Sequence, residues 1–147
     1  GVAESITLSH KDQFDLRDEK EILEYGEKIE VVYVNKISIN TSENTLSLPL
    51  PSINFKVAEL PRSGLDPKED SYIVVGEIAG LSSQKIGLLP PLVWMPEGLP
   101  KFRSVLKTFA VSFLLETTIK LTPGDPWPTG SATFHLEFEF AFVINPL

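Results

Sequence analysis

Apolar residues recur at every second position through most of this 147-residue chain, and only two short stretches break into a helical spacing. Ile6 and Leu8 alternate within 5–9. Ile29, Val31, Tyr33, Ile37 and Ile39 share one side of 28–40, interrupted at Asn35. Ile53, Phe55 and Val57 alternate within 52–60, and 71–80 is rich in β-branched residues. Alternation among β-branched and aromatic residues, bounded by Pro, Gly, Asn and Asp, predicts strands. The segment TSEN at 41–44 has turn chemistry.

The helical candidates are 15–28 and 101–107. In the first, Asp18 precedes Glu21 by three residues, as in a capping box, and Gly26 offers a stop. In the second, Phe102, Val105, Leu106 and Phe109 sit at helical spacing. From Phe109 onward, Val111, Phe113, Leu115, Ile119 and Leu121 alternate instead. One strand over 101–121 would span about 69 Å at ~3.3 Å per residue, too long for a chain of this size. A helical turn at 101–107 leading into a strand at 109–121 is therefore expected.

The cleanest alternation is TFHLEFEFAFVI at 133–144, where every even position from Phe134 to Ile144 is apolar. Joined to 109–121 by the Pro/Gly-rich loop TPGDPWPTGSA, it predicts a long hairpin. Putting both apolar sets on one face requires opposed residues to sum to an odd number. A sum of 257 avoids opposing Glu116 to Glu139 and sets Lys120 against Glu137 and Thr118 against Glu139. The four prolines of 87–100 exclude a central strand or a helix interior there, so an extended connection is expected. The fold class expected is all-β: a single domain, a mostly antiparallel sandwich or barrel of seven or eight strands with at most one or two short helices. The alternative is α+β, with a helix lying across a curved antiparallel sheet.

Charge narrows the function. The chain carries 13 basic and 20 acidic residues, net −7, with no basic cluster. That speaks against nucleic acid and against anionic membrane surfaces. No apolar run approaches the roughly 20 residues of a membrane span, and no basic-then-apolar leader pattern is present. With no cysteine, disulfides, thiolate nucleophiles and cysteine-ligated metals are excluded. The sequence lacks G-x-S-x-G, Walker and G-x-G-x-x-G patterns. The sequon at Asn40 carries no weight.

Two constellations remain. His135, Glu137 and Glu139 share the polar side of 133–144, and they are the candidate metal ligands. Steps of ~7 Å along one strand face converge poorly, so the competing expectation is a solvated sheet face, with Lys120 pairing Glu137. Trp94 and Trp127, both flanked by prolines, and Asp125 beside the second are candidate partner-binding residues, because stiffened aromatics lose little entropy on binding. An apolar, aromatic strand such as 133–144 is hazardous with a bare edge. It is expected to be central, or covered by another subunit. The function expected is a non-catalytic interaction or structural module that binds a protein partner or itself as a homo-oligomer, without a cofactor. The alternatives are a small-molecule binder, holding an apolar ligand among Phe109, Phe113, Phe134, Phe138 and Phe140 or a sugar at its rim, and a metal-assisted enzyme.

Overall fold

The structure, a computed structural model, describes residues 4–144. In chain order the elements are β1 (Glu4–Asp15), α1 (Lys20–Tyr25), β2 (Ile29–Asn44), β3 (Ile53–Glu59), β4 (Ile73–Ile78), β5 (Gly87–Leu88), β6 (Val93–Trp94), α2 (Gly98–Leu106), β7 (Ala110–Leu121) and β8 (Ala132–Ile144). They form a five-stranded sheet ordered β1-β7-β3-β4-β6 and a three-stranded sheet ordered β5-β2-β8. Every strand pairing in both is antiparallel. The result is a mostly antiparallel β-sandwich with two short helices, as the alternation predicts.

The core lies between the sheets. Odd residues of β7 face inward, as do even residues of β1 and β8. Phe113 on β7 stacks on Phe138 of β8, with ring centroids 4.3 Å apart and planes 20° from parallel. Helix α2 closes the interior by inserting the fully buried Phe102, which touches Phe55 and Phe113 of one sheet and Phe140 of the other. Its helical spacing is thus the signature of a plug. Strand β7 is buried on both faces from Ala110 to Leu115. On the outer face Ser112 shares a 2.7 Å hydrogen bond with Tyr72, whose segment folds over the sheet, and Lys56 pairs with Glu116 at 2.7 Å.

Several expectations are corrected. Residues 109–121 and 133–144 do not form a hairpin: β7 pairs with β1 and β3, whereas β8 pairs with β2. Lys120 consequently opposes Ser5, and Glu137 opposes Ser38 and meets Lys36 at 3.4 Å. Two facing apolar strands satisfy the same parity whether they lie side by side or on opposite layers. Residues 41–44 are not a turn, because β2 runs on to Asn44. Register shifts at Ile29/Val31, Val34/Lys36 and Thr41/Glu43 each change which parity faces inward. Val32 and Val34 therefore enter the core, while Tyr33 is exposed. The helix expected over 15–28 is confined to Lys20–Tyr25, followed by a 3-10 turn, since β1 extends to Asp15. The stretch 87–100 contains the two-residue strands β5 and β6 and the start of α2, with Pro100 in the first turn, where its missing N–H costs little. Finally, β8 is not central but an edge.

The end of β1 is tied down by Arg17, which donates to both carboxylate oxygens of Asp15 (3.0 and 2.8 Å) and to the Leu60 carbonyl (3.0 Å). Hydrogen bonds from the Arg17 side chain and backbone hold the Asp15 carboxyl at about 2, below its ordinary 3.8. The charged form is favoured in the folded state. Its contribution is therefore present above pH ~4 and disappears as pH falls toward ~2. For a half-exposed pair it should stay under about 1 kcal/mol. Urea unfolding of Asp15→Asn should show that deficit at pH 6 and converge with wild type near pH 2. Phe113→Ala, which empties the centre of the core, should cost about 3–5 kcal/mol in the same assay.

Candidate functional site

Strand β8 faces two ways. Its even residues Phe134, Leu136, Phe138, Phe140 and Phe142 turn toward the five-stranded sheet, yet each is only half-buried. Its odd residues His135, Glu137 and Glu139 are exposed on the outer face of the three-stranded sheet. There His135 opposes Asn40, Glu137 opposes Ser38 and Glu139 opposes Lys36. His135 Nε2 shares a 3.0 Å hydrogen bond with Ser42 Oγ, and Glu137 is held by Lys36. One imidazole nitrogen and one carboxylate thus already have protein partners. Among the described residues, no group of three or more His, Asp or Glu side chains is arranged to hold a metal ion. The other histidine, His10, lies on β1 with its ring edge-on to Phe134 at 5.8 Å.

The two tryptophans are far from equivalent. Trp94 belongs to β6, at one edge of the five-stranded sheet, and packs on Phe102 at 5.4 Å as part of the core's rim. Trp127 lies in the loop after β7, is 63% exposed, and lines a surface depression with Glu4, Leu121 and Asp125. The N–H and hydroxyl of Thr122 both donate to Asp125 Oδ2 at 2.8 Å, which lowers that carboxyl's pKa and fixes the turn. The structure brings Trp127 and Asp125 together and places Trp94 elsewhere. Of the phenylalanines named as ligand candidates, Phe113 packs on Phe138, Phe138 on Phe140 and Phe109 on Phe142, while Phe134 meets His10 at the border of a cleft.

The feature that reading residue by residue missed is an edge. Strands β1 and β8 terminate their sheets on the same long side of the sandwich, where Phe14 meets Phe140 and His10 meets Phe134. Between them opens a cleft of about 240 Å³, lined by apolar side chains including Leu8, Leu46, Leu115 and Phe134, with Ser9, His10, Thr117 and Ser131 as polar members.

The four sheet edges are not protected alike. Edges β5 and β6 are two residues long and lie among Gly87, Pro90, Pro91 and Pro96. Edge β1 carries Lys11 and, in its inward-facing row, the charged Asp12. Short length, proline, lysine and an inward charge are the usual guards against edge-to-edge pairing. Edge β8 has none of them over 13 residues, and the bulges beside it lie on β2. Among the described residues its backbone hydrogen bonds go to β2 alone. The signal in the sequence was the absence of Lys, Arg, Pro and Gly throughout 132–144.

Replacing each tryptophan should separate structural from free aromatic surface. Trp94→Ala should lower unfolding free energy in urea by about 2–4 kcal/mol, and Trp127→Ala should stay within about 0.5 kcal/mol of wild type. Comparison of the chain with protein-family models, with curated proteins and with solved structures finds no match.

Proposed function

We propose that this protein is a non-catalytic interaction module that binds extended polypeptide by strand addition along β8. The observation that carries this reading is the unguarded 13-residue edge, whose inward row of Phe134, Leu136, Phe138, Phe140 and Phe142 is left half-covered. An added strand would take up main-chain N–H and C=O groups on that edge, and its alternate side chains would complete the burial of the aromatic row. The outer-face row of His135, Glu137 and Glu139 would then select among partners by charge.

The cleft beside β8 favours a second reading, an apolar small-molecule site. Its volume of about 240 Å³ falls below the roughly 300–1,000 Å³ of ligand pockets. It suits one apolar side chain of a bound partner better than a whole ligand, which folds the second reading into the first. Trp127, exposed on its loop, remains available as an anchor at the end of the sandwich.

Selection from a random nonapeptide display library tests the proposal. Recovered peptides should share period-two apolar alternation, and their binding should fall at least about tenfold on Leu136→Lys, which sets an inward charge on the edge. Recovery of peptides without alternation, or equal binding to the variant, would count against strand addition.

A further inference from the structure

Resting on that reading, we infer that the strand added to β8 is β8 of a second copy, paired antiparallel about a two-fold axis at Leu136. A two-fold pair opposes residues whose numbers sum to twice that of the central residue, and the charges on the outer face discriminate between registers. Centring on Glu137 or Glu139 sets that carboxylate against itself. A pair centred on Phe138 opposes Glu137 to Glu139 of the second copy, and one centred on His135 opposes the two imidazoles. Centring on Phe140 sets both carboxylates against Ala141 and Val143. Only Leu136 opposes His135 to Glu137 of the second copy, twice by symmetry, and leaves Glu139 facing Thr133. Opposite or hydrogen-bonding partners across a strand pair stabilise it, and like charges directly opposed destabilise it.

The inner face agrees with this register. Leu136 meets its own copy, Phe134 meets Phe138 and Ala132 meets Phe140, so the half-buried aromatic row continues across the junction. Residues 132–140 of each copy overlap, enough for about eight to ten inter-strand hydrogen bonds. With Nε2 of His135 bound to Ser42, Nδ1 is the nitrogen left to reach the opposing carboxylate. A two-fold normal to the sheet keeps both five-stranded layers on the same side of a joined six-stranded sheet. The open long sides of the two sandwiches, clefts included, then face each other. Parallel in-register stacking would set Glu137 on Glu137 and Glu139 on Glu139, so the acidic row admits one copy and opposes a fibre.

Sedimentation equilibrium on the full chain tests the register through two exposed positions. Wild type should be dimeric at about 200 µM. His135→Glu opposes two carboxylates twice and should raise the dissociation constant at least about tenfold. Made in a Glu139→Gln background, so that position 137 has no carboxylate to face in the Phe138-centred register, the double variant His135→Glu, Glu137→Lys restores opposite charges only in the Leu136-centred register, and its dissociation constant should return to within about threefold of wild type. Circular dichroism and urea midpoints should confirm that both variants fold. Failure of the double variant to recover, or an unchanged His135→Glu, overturns the register. A monomeric wild type overturns self-pairing. If such a monomer still binds alternating nonapeptides, strand addition to a different partner stands; if it binds none, both readings fall.

Discussion

The stack of Phe113 on Phe138 is the contact through which the two layers of this protein recognise each other. It joins an interior strand of one sheet to an edge strand of the other, and Phe102 from α2 seals it from the side. Aromatic pairs of this geometry add about 0.5–1.5 kcal/mol beyond their buried area. Their larger role here is positional. Once Phe113 holds Phe138, the alternation of β8 fixes which side chains turn inward, and the row of His135, Glu137 and Glu139 must face outward. Chemistry on the outer face is thus set by packing on the inner one.

The place of β7 has a second consequence. Its residues from Ala110 to Leu115 are buried on both faces, so it needs cover on each side and neighbours at both edges. Strands β1 and β3 take those edge positions, and β8, next in sequence, is displaced to the opposite layer. There β2 occupies one of its edges and nothing among the described residues pairs with the other. The exposed edge follows from a strand too apolar to be half of a two-stranded ribbon.

Much of this architecture was legible in the sequence, because period-two patterning reports directly which faces are buried. Strands β3, β4, β7 and β8 and the plug helix α2 fall where alternation and the spacing of Phe102 and Leu106 place them. Pairing was not legible. Parity states that the odd residues of β7 and the even residues of β8 share an interior, but not whether they meet side by side or face to face. A fuller clue lay in the near-continuous run FAVSFLL, whose composition suits a strand buried on both faces better than a hairpin arm. Bulges in β2 were also invisible: Asn35 interrupts the pattern, yet nothing local says that Val32 and Val34 replace Val31 and Tyr33 in the core. At the candidate site, alternation placed His135, Glu137 and Glu139 on one strand face, but the edge beside them is a property of strand order.

A long apolar edge would ordinarily be selected against, and the composition of β8 indicates how it is tolerated. Lysine or proline within the strand would close the edge to every partner, itself included. Two glutamates on the outer face act differently, since their repulsion depends on register and direction. They oppose the in-register stacking that builds fibrils and leave open any arrangement that offers them a donor. Lys36 supplies one such donor to Glu137 within the chain, and His135 lies one step along the strand. Net charge of −7 adds a long-range repulsion between molecules that only a well-matched contact overcomes. The two glutamates thus penalise in-register stacking and leave other registers of pairing open, which is the property the proposed strand addition calls on.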